Sequence, residues 1–260
     1  MNEHTTTQAV PVFIAPAESG SEIAQRLRQT FREVAAADTA DGITLHLDEE
    51  GLSLHADGQV LRGDFTQKLH RLKQSLSQEL LVRAAKFKGA TEPLTAIDAT
   101  AGLGEDSLIL AAAGFRVKLY ERNPVVYELL QDTLRRAAAV PELAEIVSRM
   151  EAFHGDSMDA MRHLEAPPDV ILLDPMFPAR QKSALVKKKL QMIQKLETPC
   201  LDERELLLAA MEANPKKLII KRPPKGPYLA DFKPDYSISG KAVRFDCIVS
   251  PRDKIKKLKP

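Results

Sequence analysis

The chain has 260 residues, of which 44% are hydrophobic and 28% are charged. This size and composition predict a globular protein with a sizeable core, built as one large domain or two modest ones. No apolar run reaches the roughly 18 residues of a membrane span, and the N-terminus lacks the basic and apolar segments of a secretion signal. The two cysteines, Cys200 and Cys247, lack the spacing of a disulfide scaffold or a zinc site. We therefore expect a cytoplasmic protein that neither inserts into a membrane nor is secreted.

The net charge of +1 hides an asymmetry along the chain. Residues 170–260 carry 20 Lys and Arg against 10 Asp and Glu, so this segment has a charge of +10 and residues 1–169 have a charge of −9. A basic half of this kind indicates either a polyanionic partner such as a nucleic acid or a solvated lysine-rich surface. Charge alone leaves both interpretations open.

Residues 1–64 are predicted to form a small N-terminal α+β subdomain. Its predicted elements are a strand at residues 12–15, a helix over residues 21–37, and strands at residues 43–47 and 52–54. Residues 65–93 follow as a helical connector, because the apolar positions between residues 65 and 88 recur with a helical period. The connector leads into the larger part of the chain.

Residues 94–253 are predicted to form an α/β domain, because short apolar runs alternate with amphipathic stretches long enough for helices. The predicted strands are residues 94–100, 115–121, 149–154, 170–174 and 217–221, and the predicted helices begin near Gly104, Pro124, Ser157 and Asp202. Two further strands, at residues 236–239 and 243–250, would form a hairpin, and residues 254–260 a basic tail. This order predicts a mostly parallel sheet that ends in an antiparallel hairpin.

A glycine-rich turn follows the first strand of this domain. Gly102 and Gly104 would let a ligand approach the backbone closely, although an ordinary tight turn would also need glycine. Dinucleotide-binding proteins share this geometry, but their third glycine would fall at Ser107. The turn also carries three acids: Asp98, Glu105 and Asp106. They favour the ammonium and sulfonium of S-adenosylmethionine over the pyrophosphate of NAD, although acids in a first helical turn also oppose the helix dipole.

Further acids follow the next strands of the domain. Glu121 could accept both hydroxyl hydrogens of an adenosine ribose, and Asp156, with Ser157, could reach the adenine edge. Either acid taken singly could equally be a helix N-cap. Together with Asp98 and Asp174, they follow four consecutive strands at the carboxyl ends, where open α/β sheets bind ligands. The sequence therefore predicts one ligand site along that edge.

The segment Asp174-Pro-Met-Phe-Pro follows an apolar strand and suits methylation of an exocyclic amino group. The Asp174 carboxylate and the backbone carbonyl near Pro175 could accept both N–H hydrogens of the amine, while Phe177 stacks on the base. A strand end with a buried aromatic residue is the alternative interpretation. Amino methyltransferases more commonly have Asp-Pro-Pro-Tyr or Asn-Pro-Pro-Phe here, so Met176 departs from the broad pattern.

Basic residues follow this segment and the last parallel strand. They are Lys182, Lys187, Lys188, Lys189, Lys221, Arg222 and Lys225. Cations beside a reacting base would hold RNA phosphates, with plain solvation as the alternative. The six histidines show no ligand spacing, and we predict no metal site.

Five motifs together resemble the RsmJ family, the guanine-N2 methyltransferases of small-subunit ribosomal RNA. In one-letter code they are DATAGLG from Asp98, ERNPVV from Glu121, LDPMFP from Leu173, QKSALVKK from Gln181 and KRP from Lys221. The resemblance runs from about residue 63 to residue 249 and implies a class I S-adenosylmethionine-dependent methyltransferase fold, which is Rossmann-like. It implies cofactor contacts at Glu105, Asp106, Glu121, Arg122, Asp156, Ser157 and Asp174. Residues 69–77 depart from the glycine-rich basic stretch of the family, so substrate docking could differ.

The expected function is methyl transfer from S-adenosylmethionine to the N2 amine of a guanine in 16S ribosomal RNA. The substrate would be the RNA or a precursor of the small ribosomal subunit, and the residues expected to act on the base are Asp174, Pro175 and Phe177. A neighbouring alternative is an amino methyltransferase acting on an adenine or guanine of another RNA or of DNA. An NAD-dependent oxidoreductase and a non-catalytic RNA-binding protein are more distant alternatives.

Overall fold

The computed structural model describes residues 10–36, 42–89, 93–175, 192, 196 and 202–258. These residues form two β-sheets, one with four strands and one with seven, together with helices. The smaller sheet is built from the N-terminal residues and the larger from residues after 94. The predicted α/β fold with a mostly parallel sheet and a terminal hairpin is confirmed.

The N-terminal sheet has the strand order β1-β2-β3-β4. Its elements are β1 (Val12–Ile14), α1 (Glu22–Thr30), β2 (Ile43–Asp48), β3 (Gly51–Ala56) and β4 (Gln59–Leu61). Strands β2 and β3 form a hairpin across the turn before Gly51, whose φ of +108° suits glycine. The two strands predicted on either side of this glycine are thus confirmed.

Helices α2 (Leu69–Ser75) and α3 (Leu80–Ala85) connect this part to the larger sheet. The strands of the larger sheet are β5 (Thr95–Asp98), β6 (Arg116–Glu121), β7 (Met150–His154), β8 (Val170–Leu173), β9 (Lys217–Arg222), β10 (Tyr236–Ser239) and β11 (Arg244–Val249). Their order is β10-β11-β9-β8-β5-β6-β7. Strands β5 to β9 pair in parallel, whereas β11 is antiparallel to both β9 and β10.

The helices that connect these strands are α4 (Glu105–Ala112), α5 (Pro124–Ala138), α6 (Pro141–Val147), α7 (Ser157–Arg162), α8 (Glu203–Glu212) and α9 (Ile255–Leu258). Helix α5 begins where the sequence predicts it, because Pro124 occupies its first turn and Asn123 Oδ1 accepts the Val125 N–H at 2.9 Å. Asp202 caps α8 by accepting the Glu205 N–H at 3.1 Å. Among the described residues, no helix is both long and apolar enough to cross a membrane.

Both faces of the central strands β8 and β9 are buried, which explains their largely apolar sequences. Within β8, Leu172 packs into one core with Leu108 of α4, while Ile171 and Leu173 pack into a second core with Leu207 of α8. Adjacent side chains of a strand point to opposite faces, so one unbroken apolar run serves both cores. This packing holds the carboxyl ends of the strands in register.

The N-terminal sheet packs on α5 of the larger part. Leu45 and Leu54 of the small sheet share a buried cluster with Val125 and Leu129 of α5. The buried Asp132 carboxylate of α5 accepts the Leu52 N–H at 2.9 Å and so ties the backbone of β3 to the helix. The division into residues 1–64, 65–93, 94–253 and 254–260 stays a prediction.

Local sequence patterns mispredicted several elements between residues 21 and 147. Helix α1 ends at Thr30 and not at residue 37, because the backbone of residues 32–34 forms hydrogen bonds with Val12 of β1 instead. The connector is interrupted rather than one helix: Glu79 has an extended ψ of 128° and separates α2 from α3. Strand β4 and helix α6 were not predicted, since each is short and depends on its neighbours.

Candidate functional site

Four acids lie side by side along one edge of the larger sheet. Asp174, Asp98, Glu121 and Asp156 follow or end β8, β5, β6 and β7, which are neighbours in that order. The chain runs outward from β5 to β6 and β7, and then crosses to β8 and β9 on the other side of β5. The carboxyl edge between β5 and β8 is therefore the topological switch point, where open α/β sheets bind ligands.

The turn after β5 has the backbone geometry of a close ligand approach. Gly102 and Gly104 have φ values of +54° and +76°, which side chains rarely adopt. A Cβ atom at Gly104 would lie 2.8 Å from Leu130 Cδ1, so this glycine is needed for packing. A Cβ atom at Gly102 would meet nothing within 4 Å. The turn is therefore closed on its core side and has open space at Gly102.

Asp98 stabilises this turn through hydrogen bonds to residues on both sides of it. Its side chain is buried, accepts the Ser107 hydroxyl hydrogen at 2.6 Å and accepts the Thr100 N–H at 3.2 Å. Burial raises the pKa of Asp98 to about 7, and the charge of Asp106 adds to that rise. The sequence identified Asp98 and Ser107 but did not predict that they pair.

Asp98 is expected to make stability depend on pH. Its unfolded pKa of about 3.9 lies below its folded pKa, so the folded protein holds more protons between these values and its stability falls as pH rises from about 4 to 7. Asp98→Asn should remove this dependence of the free energy of unfolding on pH. The loss of stability that it removes is at most about 4 kcal/mol, since each unit of pKa shift corresponds to about 1.4 kcal/mol. Urea unfolding of both proteins at pH 5 and pH 7.5 measures the difference. Equal changes for the two proteins would contradict the prediction.

Glu121 holds the same turn from the neighbouring strand. One carboxylate oxygen accepts the Gly102 N–H at 3.0 Å and the other accepts the Asn123 N–H at 2.8 Å. Burial raises the pKa of Glu121, and these backbone hydrogen bonds oppose the rise. Each oxygen keeps a further lone pair that could accept a ribose hydroxyl. The side chain of Arg122 is exposed beside it, and its carbonyl oxygen lies 3.2 Å from His154 Nε2.

Asp156 and Ser157 begin α7. Asp156 Oδ1 accepts the Met158 N–H at 2.7 Å, which confirms the N-cap interpretation for this residue. Its second oxygen is not used in that cap. Ser157 is buried at the first position of the helix. Contact of either residue with an adenine stays a prediction.

Asp174 lies at the end of β8 and is connected to the turn after β5. Its N–H donates to Thr100 Oγ1 at 2.7 Å, a contact that the sequence did not predict. Its carboxylate forms an ion pair with Lys221 at 2.8 Å, and the same ammonium lies 2.5 Å from the Asp106 carboxylate. Asp106 is in the first turn of α4, whereas its neighbour Glu105 turns outward and pairs with Lys68 at 2.6 Å. One lysine thus joins the glycine turn to Asp174.

The structure changes the interpretation of two residues predicted to bind RNA. Arg222 is only 1% exposed, donates to the Pro227 carbonyl at 2.8 Å and lies 3.6 Å from the Glu203 carboxylate. Its guanidinium supports the loop after β9. Lys221 is committed to two carboxylates, as described above. Both residues therefore have partners within the protein, and their contact with a phosphate stays a prediction.

Of the remaining predicted site residues, the structure describes only some. Pro175 is buried directly after Asp174. Five lie outside the described residues: Phe177, Lys182, Lys187, Lys188 and Lys189. Within the part of the chain that the structure describes, no three His, Cys, Asp or Glu side chains are grouped to hold a metal ion.

The carboxylates and the glycine turn of this site fit S-adenosylmethionine. Its ammonium and sulfonium are cations, and Asp106 and Asp174 are two carboxylates bridged by one ammonium, so a negative charge remains beside the glycine turn. Open space at Gly102 and the second lone pairs of Glu121 provide room and acceptors for the nucleoside.

Comparison with known proteins gives one consistent result. A family model described as a putative SAM-dependent methyltransferase matches residues 27–250. The chain is 38% identical over 254 residues to Ribosomal RNA small subunit methyltransferase J of Stutzerimonas stutzeri, covering 94% of each chain. It is 46% identical over 170 residues to the protein of that name from Aeromonas salmonicida, covering 65% of this chain and 68% of the relative. A crystal structure of a SAM-dependent methyltransferase from Neisseria gonorrhoeae has a TM-score of 0.76 and 28% identity, covering 93% and 96% of the two chains.

Proposed function

The chain belongs to the family of Ribosomal RNA small subunit methyltransferase J, and we propose that it methylates the N2 amine of a guanine in 16S ribosomal RNA. The methyl donor is S-adenosylmethionine. The observation that supports this reaction best is the connection of Asp174 to the glycine turn through Thr100 and Lys221. This connection puts an amine acceptor beside the turn at Gly102 and Gly104, which is called the cofactor loop from here on. Such a substrate also suits a cytoplasmic enzyme.

The chemistry requires an orienting acceptor more than a strong base. The bound cofactor supplies an electrophilic methyl group on a sulfonium. The guanine amine lone pair is delocalised into the ring, so Asp174 and the carbonyl near Pro175 would accept its two hydrogens and turn the lone pair towards the methyl carbon. A methylated amine cation is strongly acidic and loses its proton without a strong base. Asp174 therefore positions the amine and stabilises its developing positive charge.

Product analysis tests the proposed function directly. Purified protein is incubated with small-subunit ribosomal RNA or small subunits that lack the modification and with S-adenosylmethionine carrying a labelled methyl group, and the RNA is digested to nucleosides. Labelled N2-methylguanosine supports the proposal. N6-methyladenosine would mean that Asp174 faces an adenine, and no labelled nucleoside from either substrate would refute methylation of small-subunit ribosomal RNA.

Loss of Glu121 is expected to weaken cofactor binding. Glu121→Ala removes a charged acceptor from the turn and from the predicted ribose contact, so the affinity for S-adenosylhomocysteine should fall by about 1 to 3 kcal/mol. Calorimetric titration measures this affinity, with NAD as the competing ligand. The wild-type protein should not bind NAD, and an equal affinity for both ligands would contradict the cofactor assignment.

The basic half of the chain is expected to make RNA binding depend on salt. Replacing Lys187, Lys188 and Lys189 together by alanine should flatten this dependence, by up to about 2 in the logarithmic slope, and raise the KM for RNA. Turnover at saturating RNA should change less, because these cations would position the substrate without touching the reacting atom. Filter binding across a salt series measures the slope. An unchanged slope would favour plain solvation of these lysines.

A further inference from the structure

We propose that Lys221 is a positioning residue that keeps Asp174 ionised for the amine and couples it to the cofactor loop through Asp106. The proposal rests on the proposed function, since it assigns Asp174 the role of amine acceptor. It replaces the phosphate contact that the sequence predicted for this lysine. Three sets of observations carry it: the geometry of the bridge, the charges around it, and the elements that it joins.

The bridge is formed by one ammonium and two carboxylates. Lys221 Nζ lies 2.5 Å from Asp106 Oδ2 and 2.8 Å from Asp174 Oδ2. Two of its three N–H donors are thus used, and its side chain is 29% exposed. An ammonium held by two acids carries no excess positive charge towards an RNA phosphate. Its electrostatic effect is therefore directed into the site and not at the surface.

The charges around the bridge explain why a cation is needed. Asp106 disfavours ionisation of both Asp98 and Asp174, and Asp174 disfavours ionisation of Asp98. Burial raises the pKa of Asp174, the Lys221 ammonium opposes this rise, and Asp106 adds to it. Burial alone would lower the pKa of Lys221, but Asp106 and Asp174 raise it above its ordinary value, so the lysine stays charged. Among the described residues, Lys221 is the cation that pairs with both acids.

Ionised Asp174 is the form that the reaction requires. A carboxylate can accept an N–H hydrogen from the guanine amine, whereas a protonated carboxyl group would present a hydrogen to the amine and stabilise less positive charge. Losing Lys221 would raise the pKa of Asp174, so a higher pH would be needed to reach the active form. The lysine should thus act on the pH dependence of the rate.

The bridge also joins two parts of the site that the sequence keeps far apart. Asp106 belongs to the first turn of α4, directly after the glycine turn, and Lys221 belongs to β9, which pairs with β8. A change in the position of Asp106 would therefore be transmitted to Asp174. We infer that occupancy of the cofactor loop and orientation of the amine acceptor are coupled through this lysine.

The test is the pH profile of the single-turnover rate at saturating RNA and cofactor. Lys221→Met should move the acid limb up by about one pH unit, which is about tenfold in rate on that limb, and the rate should recover at high pH. Lys221→Arg, which keeps the charge, should move the limb less. The double variant Lys221→Met with Asp106→Asn should move the limb back, because it also removes the repelling acid. Lys225→Met, which removes an exposed lysine at the same end of β9, should not shift the limb.

Two outcomes of the kinetic measurements would overturn the proposal. A rate that falls by the same factor at every pH would mean that the lysine is only structural, and a rise in the KM for RNA with an unchanged pH profile would restore the phosphate contact. Lys221→Gln serves as a second variant if Lys221→Met does not fold. Carbon-13 NMR titration of the Asp174 carboxyl group, without RNA, separates this proposal from the proposed function. The titration midpoint should rise in the lysine variant even if no methylated guanosine is ever formed, and an unchanged midpoint would refute the proposal.

Discussion

Replacing Asp174 by alanine is expected to reduce the single-turnover rate of methyl transfer by roughly 100-fold or more, the order found when one preorganised stabilising group is removed. The reason is that its carboxylate would accept an amine hydrogen and stabilise positive charge, and alanine does neither. RNA affinity should hardly change, because the reacting amine is a small part of the RNA contact surface. Rapid-quench measurement of labelled methyl transfer, together with RNA binding, checks both statements.

The fold should survive this substitution. Lys221 keeps its ion pair with Asp106, and the Asp174 N–H keeps its contact with Thr100 Oγ1 as a backbone donor. Asp159→Ala is a suitable control, since that exposed aspartate pairs with Arg162 on α7, outside the proposed contacts with the amine. A near wild-type rate for Asp174→Ala would show that another group orients the amine.

Replacing Asp132 by alanine is expected to lower the free energy of unfolding by about 3 kcal/mol. Asp132 is fully buried and accepts three donors, from the Leu52 backbone at 2.9 Å, Arg135 at 2.7 Å and Arg136 at 2.7 Å. Alanine would leave a buried N–H of β3 and two guanidinium groups without their acceptor, which is the costly way to break a buried ion pair. Urea unfolding, followed by circular dichroism, measures the loss.

The matched comparison is Asp48→Ala on the same N-terminal sheet. Asp48 also pairs with an arginine, Arg62, at 2.9 Å, but its side chain is 42% exposed and water can replace the lost contact. The expected loss is therefore at most about 1 kcal/mol. Equal losses for the two variants would contradict the idea that Asp132 holds the N-terminal sheet on α5. Two separate unfolding transitions in Asp132→Ala would support the predicted boundary near residue 64.

The elements of the larger sheet were predictable because each depends on local chemistry. The apolar run Val170–Leu173 is typical of a strand buried on both faces, and Asn123 followed by Pro124 is a local signal for the start of a helix. Because these strands are parallel, their carboxyl ends lie at the same edge of the sheet. The acids that follow these strands were therefore correctly placed along one edge before any contact was known.

The N-terminal half was less predictable because its ends are decided by pairing. The helical pattern after Ser21 continues past Thr30, yet the chain leaves the helix there to form hydrogen bonds with β1. Local propensity is a weak preference of less than about 1 kcal/mol per residue, so a few backbone hydrogen bonds and one buried side chain outweigh it. Phe31, buried directly after the helix, is that side chain.

The sequence by itself determined the α/β class, the glycine turn, the acids at the strand ends and the family, since these depend on residue type and spacing. Only the tertiary structure decided what the cations do. Lys221 and Asp106 are 115 positions apart in the chain, and Arg222 is buried by the loop that follows it. The two neighbouring basic residues at the end of β9 look alike in the sequence. Folding makes Lys221 a bridge between two carboxylates and buries Arg222, which then supports a loop.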